Sequence, residues 1–377
     1  MQSLITIFRE IRDPRDFNAR HDLSAMLFIA LAATLCGAKS CVDIADFAEA
    51  NESELSGIVD LAHGAPSHDC FSRLFRLLDP DQLAQALAGF ARAVRDALGL
   101  DTPQGVVAID GKRLRGGYER GRAFMPPLLV SVWDAETRLS ITARAAPGGN
   151  EVAATLAALK SVVLIGCIVT ADTLHCHPTM ASAVLERGAD YALKLKANHA
   201  PLFACAEAAF AAADATGKLA VHECSERGHN RSERRRASVI AVPKQAPAFP
   251  GLAALRRIES DRICTNAKPT HTVHYIALSQ PLAPQRMLEV VRAHWGVENH
   301  LHRQLDVVFY EDAARTRKNY APANLGIIRR MALDILRAHP DRRSPARKMK
   351  QALWNRAFFY ELFTHMRSPV RREAGEE

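Results

Sequence analysis

Three acidic residues with unlike neighbours are the candidates for chemistry in this chain. Asp110 and Asp172 end the apolar runs VVAI and LIGCIVTA, and Glu298 lies within RAHWGVENHLH, which has helical spacing. Carboxylate oxygens are the ligands that Mg²⁺ prefers, and two such ions can clamp the attacking and leaving oxygens of a phosphodiester. The three carboxylates therefore predict a two-magnesium site for a phosphodiester, provided that the fold brings them together.

Each of these acidic residues also has an ordinary structural interpretation. Asp110 precedes a glycine, as an aspartate in a β-turn often does, and Asp172 is placed to cap the next helix. Asp190 competes with Asp172, but Asp190 opens an apolar strand instead of closing one. Glu298 belongs to a polar stripe at four-residue spacing, which is also typical of a solvated helix face or of a transition-metal site. The other members of that stripe are His294, His302 and Asp306.

The elements that must position these residues change in type along the chain. Residues 1–100 read as helices, including the amphipathic stretch 80–99 and the apolar run 25–38. From residue 105 the predicted order is strand, hairpin, helix, strand, helix, strand, which indicates a mixed sheet with helical cover. A β-rich insertion follows at about 215–280. Helices are then predicted over 281–309 and 323–338, with an apolar stripe formed by Val297, Leu301, Leu305 and Val308.

Basic residues exceed acidic ones, which favours a polyanionic partner. The formal net charge is +8 and the pI is about 9.2. The excess is concentrated in three clusters at 227–236, 315–318 and 341–350, each of which could contact phosphates or simply face solvent. In the predicted strand DYALKLKAN, Lys194 and Lys196 point to the same side because the strand period is two.

Cysteine usage and hydropathy bear on the compartment. None of the eight cysteines forms a C-x-x-C pair, and several lie in apolar runs, which is typical of reduced intracellular cysteines. The N-terminus lacks the layout of a signal peptide. The apolar run 25–38 is shorter than the roughly 20 residues of a membrane span. We therefore expect a cytoplasmic protein without membrane contact.

Several segments resemble the DDE insertion-sequence transposases of the ISAs type, a group that includes the H-repeat-associated transposases. These segments are IDGKRLRG, the VTAD strand, DYALKLKAN and the long stretch that starts at RAHWGVENHLH and ends at MALDIL. LCGAKS and PSHDCFSRLFRLLDP are similar to the helical N-terminal domain of that group. The resemblance covers about residues 10–340, in the same order along the chain.

The resemblance implies an α/β fold with an RNase H-like catalytic core, a mixed sheet with flanking helices, a helical N-terminal domain and a β-rich insertion. The implied domains are 1–100 (helical), 101–345 (catalytic, with the insertion at about 215–280) and a C-terminal tail at 346–377. It also implies that Asp110, Asp172 and Glu298 form the catalytic, metal-binding triad. The expected cofactor is two Mg²⁺ ions, for which Mn²⁺ can substitute.

The implied activity is metal-dependent DNA cleavage and strand transfer in transposition, by a protein that forms a homo-oligomer on transposon ends and target DNA. An RNase H-like nuclease that cuts without joining, or an inactive DNA-binding derivative, is the alternative. The candidate residues for DNA contact are Lys112, Arg113, Lys194, Lys196, Arg231, Arg234, Arg235, Arg236, Arg292 and His294.

Overall fold

The computed structural model describes residues 2–97, 99, 103, 105–117, 125–196, 199–217, 219–228, 231–264 and 267–364. The chain divides into two compact units. The first unit consists of Met1–Thr102, Gly111–Val162 and Val297–Glu377, and the second of Pro103–Asp110 and Val163–Gly296. No helix in the described part of the chain is long and apolar enough to cross a membrane.

The α-helices are bounded as follows. In chain order they are α1 (Gln2–Arg9), α2 (Leu23–Leu35), α3 (Cys41–Ala50), α4 (Glu52–Leu55), α5 (His68–Leu77), α6 (Pro80–Ala97), α7 (Glu151–Lys160), α8 (Pro178–Leu185), α9 (Ala200–Thr216), α10 (Pro284–Gly296), α11 (Arg303–Phe309), α12 (Ala321–Ala338), α13 (Pro345–Trp354) and α14 (Arg356–Thr364). A π-helical segment, Val297–His302, joins α10 to α11.

The strands are bounded as follows. In chain order they are β1 (Val106–Arg113), β2 (Leu128–Asp134), β3 (Ser140–Ala145), β4 (Ile168–Ala171), β5 (Asp190–Leu195), β6 (Val221–Gly228), β7 (Arg231–Ala241), β8 (Ala254–Cys264) and β9 (Ala267–Leu278).

The first unit is built around two buried helices. All thirteen residues of α2 are buried, and the Asp22 side chain caps this helix by accepting a 2.8 Å hydrogen bond from the Ala25 amide. Helix α12 is buried almost as completely, although it carries charged residues such as Arg330 and Asp334, and it packs against α2, α5 and α6, and against the β2–β3 hairpin. The predicted apolar helix at 25–38 is therefore a core helix, as its length indicated.

The second unit contains strands in the order β1-β4-β5-β9-β8-β7-β6. Strands β1, β4 and β5 are parallel, whereas β5 pairs with β9 in the antiparallel direction and β9, β8, β7 and β6 form an antiparallel meander. Helix α10 packs against β4, β6 and β7. Along the chain, a hairpin follows β1 and helices precede β4 and β5, which is the succession of elements in the expected RNase H-like fold. The meander is the predicted β-rich insertion.

Local predictions differ from the structure at several points. The strand predicted over 163–172 is limited to β4, because Gly166 adopts φ 76° and turns the chain before it. Helix α9 was not predicted, since its many alanines mark no apolar stripe. The segment expected to be a tail contains α13 and α14.

Candidate active site

Three of the predicted residues occupy one row across the parallel strands of the second unit. Ile109 of β1 is in register with Ala171 of β4, and Ala171 is in register with Leu193 of β5. The next position on each strand is therefore Asp110, Asp172 and Lys194. Parallel neighbours lie about 4.8 Å apart and residues in register share a sheet face. Two carboxylates and an ammonium group are thus side by side where the parallel pairing ends.

The backbone of Asp172 is fixed between a strand and a short turn, whereas its side chain is exposed. It comes directly after β4 and starts a short 3₁₀ turn, but its side chain makes no capping hydrogen bond there. The side chain is 59% exposed, and one carboxylate oxygen lies 3.9 Å from Lys194 Nζ. The alternative interpretation of Asp172 as a helix cap therefore has no support in the described geometry.

The competing Asp190 lies at the other end of the parallel strands. It is paired in register with Ile168, at the start of β4, whereas Asp172 follows the end of β4. Four residues at about 3.3 Å each separate these two levels of the sheet, or roughly 13 Å. Asp190 also accepts a 2.7 Å hydrogen bond from Ser279 Oγ. Its position indicates a structural role.

Two histidines, His294 and His274, lie close enough to Asp172 for its charge to raise their pKa values, and His274 was not predicted. His294 Nδ1 lies 3.0 Å from Thr170 Oγ1, and Thr170 is two residues before Asp172 on the same face of β4. Burial lowers the pKa of His294 to about 4, although the Asp172 carboxylate opposes this shift. Burial, together with Lys194, also lowers the pKa of His274 on β9. At neutral pH, His294 is therefore a neutral imidazole.

His274 and Thr170 could not be found from motifs. The only sign of Thr170 in the sequence was its two-residue spacing from Asp172. His274 lies near Asp172 because its strand, β9, pairs with β5 across about eighty residues of chain. This pairing depends on the insertion folding back onto the parallel strands.

Glu298 belongs to the first unit and has an unusual helical setting. It lies in the π-helical segment Val297–His302, where its neighbours Val297 and Leu301 are buried and Glu298 itself is exposed. Such π-helical segments are frequent at functional sites, because the wider turn shifts the helix face by one residue. The predicted apolar stripe is confirmed, since Leu305 and Val308 are buried as well. The convergence of Glu298 with the two aspartates stays a prediction.

Lys112 has a position that argues against DNA contact. Its side chain is buried in the first unit, and Nζ lies 2.8 Å from the Asp306 carboxylate and 3.1 Å from Asp312 Oδ1. Two carboxylates neutralise this ammonium group, so it cannot reach a phosphate without breaking both ion pairs. The DNA contact expected of Lys112 stays a prediction, and these two ion pairs disfavour it.

The remaining basic candidates differ in their surroundings. Arg113 is half-buried, and Lys196 is exposed one residue beyond β5. Arg292 is exposed on α10 and forms an ion pair with Glu226. Of these three, Lys196 is two residues after Lys194, which is the spacing of side chains on one face of a strand.

The arginines of the insertion are matched by carboxylates. Arg234, Arg235 and Arg236 lie on β7, between β6 and β8. Their partners are Glu223 at 2.6 Å, Glu233 at 2.8 Å and Glu259 at 3.4 Å, respectively. The side chain of Arg231 lies outside the described residues. The density of arginines in the sequence therefore overstates the free positive charge on this strand.

The described residues supply a partial ligand set for a divalent metal. Among them, no group of three histidine, cysteine, aspartate or glutamate side chains lies close enough together to hold a metal ion. Asp110 and Asp172 provide two adjacent carboxylates, and the nearby groups donate no sulfur. Such an all-oxygen donor pair fits Mg²⁺ or Mn²⁺ better than softer ions.

Comparison with known proteins relates this chain to transposases. The family model for "Transposase DDE domain" matches residues 101–334, and that for "DDE_Tnp_1-associated" matches residues 5–91. "Putative protein YbfL" and "H repeat-associated putative transposase YhhI", both from Escherichia coli K12, are each 30% identical over 85% of this chain and 86% of their own. "Putative transposase YncI" from Escherichia coli O157:H7 is 27% identical over 96% of this chain and 94% of its own.

The match to the DDE domain indicates the activity of this chain. A DDE domain implies an enzyme that uses a divalent metal to cleave DNA and transfer the cut strand, and DNA is its partner. Because the matched domain spans more than half of the sequence, this chain belongs to the DDE transposase family.

Proposed function

We propose that this transposase moves an insertion sequence with Asp110, Asp172 and Glu298 as its catalytic carboxylates. They would hold two Mg²⁺ ions, and Mn²⁺ would substitute. In this proposal, the catalytic domain runs over 101–345, and the protein acts as a homo-oligomer assembled on DNA at the nucleoid. The observation that carries the proposal is the register of β1 and β4, which puts Asp110 beside Asp172.

The strand geometry suits Asp110 and Asp172 to binding metal ions together. Both follow the last residues that pair β1 with β4, and β1 itself continues to Arg113, so strand pairing fixes the backbone on which each carboxylate is carried. Metals bound there would activate a water or a 3′-hydroxyl and stabilise the charge that develops on the phosphate. Glu298, on its π-turn, would complete the ligand set from the helix.

Lys194 and His294 support this site in different ways. The Lys194 ammonium, 3.9 Å from Asp172, offsets the negative charge of that carboxylate and is placed to contact a phosphate oxygen. His294 is neutral and bonded to Thr170, so it holds the base of the Asp172 turn without adding charge. Lys196, Arg113 and Arg292 are our candidates for contacts along the DNA backbone.

The alternatives differ in what happens after cleavage. A nuclease on the same core would release a cut end, whereas a transposase joins it to a second DNA. An inactive derivative would bind DNA and do neither. The adjacent positions of Asp110 and Asp172 and the exposed side chain of Asp172 favour an active enzyme, and the domain match favours joining.

A two-step DNA assay tests the proposal. The substrate is a labelled duplex that carries the sequence flanking the gene, mixed with a target plasmid and Mg²⁺. We expect Asp110→Asn and Glu298→Gln to abolish both cleavage and joining while DNA binding is kept, because each change removes one metal-binding charge. Normal joining by the Glu298→Gln protein would remove Glu298 from the site. Cleavage without joining by the unaltered protein would favour a nuclease.

A further inference from the structure

Helix α13 in the first unit presents a basic and aromatic stripe to solvent. Arg347, Lys350 and Trp354 are exposed and are spaced three and four residues apart, so they lie on one face of the helix. The opposite face is buried through Lys348 and Ala352. We call the three exposed residues the α13 stripe.

The basic residues around α13 fall into two groups. Arg343 lies 2.6 Å from Asp341, and Lys348 Nζ donates to the Leu336 and His339 carbonyls at the end of α12. Both of these cations already have partners within the protein. The other three are exposed and form no ion pair within the described part of the chain: Arg342, Arg347 and Lys350.

The start of α13 adds to this positive charge. Its N-cap, Ser344, makes no side-chain capping hydrogen bond, and the first turn contains no acidic residue. A helix N-terminus carries a partial positive charge and favours anions. Arg347 therefore lies at the end of the helix where a cation is least favoured, a situation that a bound anion would relieve.

An exposed tryptophan completes the stripe. Trp354 is 73% exposed and the neighbouring Leu353 is 61% exposed. A large aromatic side chain among unpaired cations suits a nucleic acid, because phosphates bind the cations while a base or a sugar packs on the ring. An acidic protein surface would satisfy the cations but gives no reason for the ring.

The insertion provides the contrast within the same protein. On β7, Arg234 and Arg236 are paired with glutamates on the neighbouring strands. Contact of these arginines with phosphate would have to break existing ion pairs, whereas the α13 stripe has none to break among the described residues. Free charge, not the number of arginines, determines how many counterions are released on binding.

We propose that the α13 stripe is a DNA-contacting surface. Arg347 and Lys350 contact backbone phosphates, and Trp354 packs against a sugar or an unpaired base. This proposal rests on the proposed function only in that DNA is the partner, and it places part of the DNA interface outside the catalytic residues.

Salt-dependent DNA binding tests the α13 stripe. Fluorescence anisotropy with a duplex of about 40 base pairs measures affinity of the full chain over a range of salt concentrations. We expect Arg347→Ala/Lys350→Ala to reduce the log–log salt slope by about 2, since each lost phosphate contact contributes about 0.9. We expect Trp354→Ala to weaken binding about tenfold without changing the slope. Circular dichroism checks that each variant is folded.

Two control variants make the result specific. Arg347→Lys/Lys350→Arg keeps the charge and should keep the slope, and Arg234→Ala/Arg236→Ala should change the slope less than the α13 double variant. An unchanged slope in Arg347→Ala/Lys350→Ala, with normal binding by the unaltered protein, overturns this inference and leaves the proposed catalytic site untouched. Absence of DNA binding by the unaltered protein overturns both.

Discussion

Replacing Arg256 by methionine should stabilise the second unit. Arg256 lies on β8, in register with Val239 on β7 and Ile276 on β9, and its side chain is 0% exposed. None of its three guanidinium nitrogens has a hydrogen-bond partner among the described residues. A buried charge without a partner opposes folding, and methionine has a similar length without the charge.

The size of the effect follows from the pKa. Burial lowers the pKa of Arg256 from 12.5 to about 9. A lowered pKa in a base means that the folded protein disfavours the charged form of that base. The charged Arg256 therefore destabilises the folded protein fully at pH 7, and this destabilisation declines only as pH rises from 9 to 12.5. A shift of this size corresponds to roughly 5 kcal/mol. Relaxation around the side chain reduces this value, so we expect a gain of about 1–4 kcal/mol for Arg256→Met.

Urea unfolding at pH 7 measures this gain. The midpoint should rise while the slope of the free energy of unfolding against urea stays unchanged, because the same surface is exposed. Arg257→Met is the matched control. Arg257 is the next residue on the same strand, but its guanidinium is paired with Asp214 at 2.6 and 2.9 Å, so this change should give no stabilisation.

A lower midpoint for Arg256→Met would refute the reasoning. It would mean that the guanidinium has satisfying partners in solution and contributes to the core. An equal gain in the Arg257→Met control would also refute it, because the effect would then come from added apolar surface on β8 and not from removal of an unpaired charge.

Three further outcomes are expected from the same structure. Asp172→Asn should abolish Mg²⁺-dependent cleavage while Asp190→Asn leaves the rate within a fewfold, and the reverse order in a cleavage assay would identify Asp190 as the ligand. Lys112→Met should lower the free energy of unfolding by about 2 kcal/mol, because two carboxylates lose their shared counter-charge, and unchanged urea midpoints would contradict this. Burial raises the pKa of Asp334 to about 7, so the folded protein binds this proton more tightly than the unfolded chain does. The free energy of unfolding should therefore fall as pH rises from about 4 to 7, by at most roughly 4 kcal/mol. In Asp334→Asn, the free energy of unfolding measured by urea titration should depend less on pH over that range. An equally steep decline in the variant would assign the pH dependence to other groups.

Much of the architecture could be predicted from local patterns. The apolar run at 25–38, the amphipathic helix at 80–99 and the strand before Asp110 all depend on side-chain spacing within one segment, and that spacing is visible in the sequence. The order of strands and helices likewise follows the chain. Asp110 and Asp172 were identified because each follows an apolar run, and the parallel register of β1 and β4 brings the ends of these runs side by side.

The partners of the charged residues could not be predicted in the same way. Lys112, next to Asp110 in sequence, is buried against Asp306 and Asp312, which lie about two hundred residues further along the chain. Similarly, the arginines of β7 meet glutamates from β6 and β8 only because those strands pair in one register. A cluster of basic letters therefore does not determine free charge.

The setting of the site was also decided by tertiary structure. The four-residue spacing around Glu298 predicts one uninterrupted helix, but the structure has a π-helical segment there, in which Val297 and Leu301 are buried. His274 lies near Asp172 only because β9 returns to pair with β5. Residue types and spacing thus determined which groups could do the chemistry, whereas strand register and helix packing, which act between distant segments, decided which of those groups are neighbours.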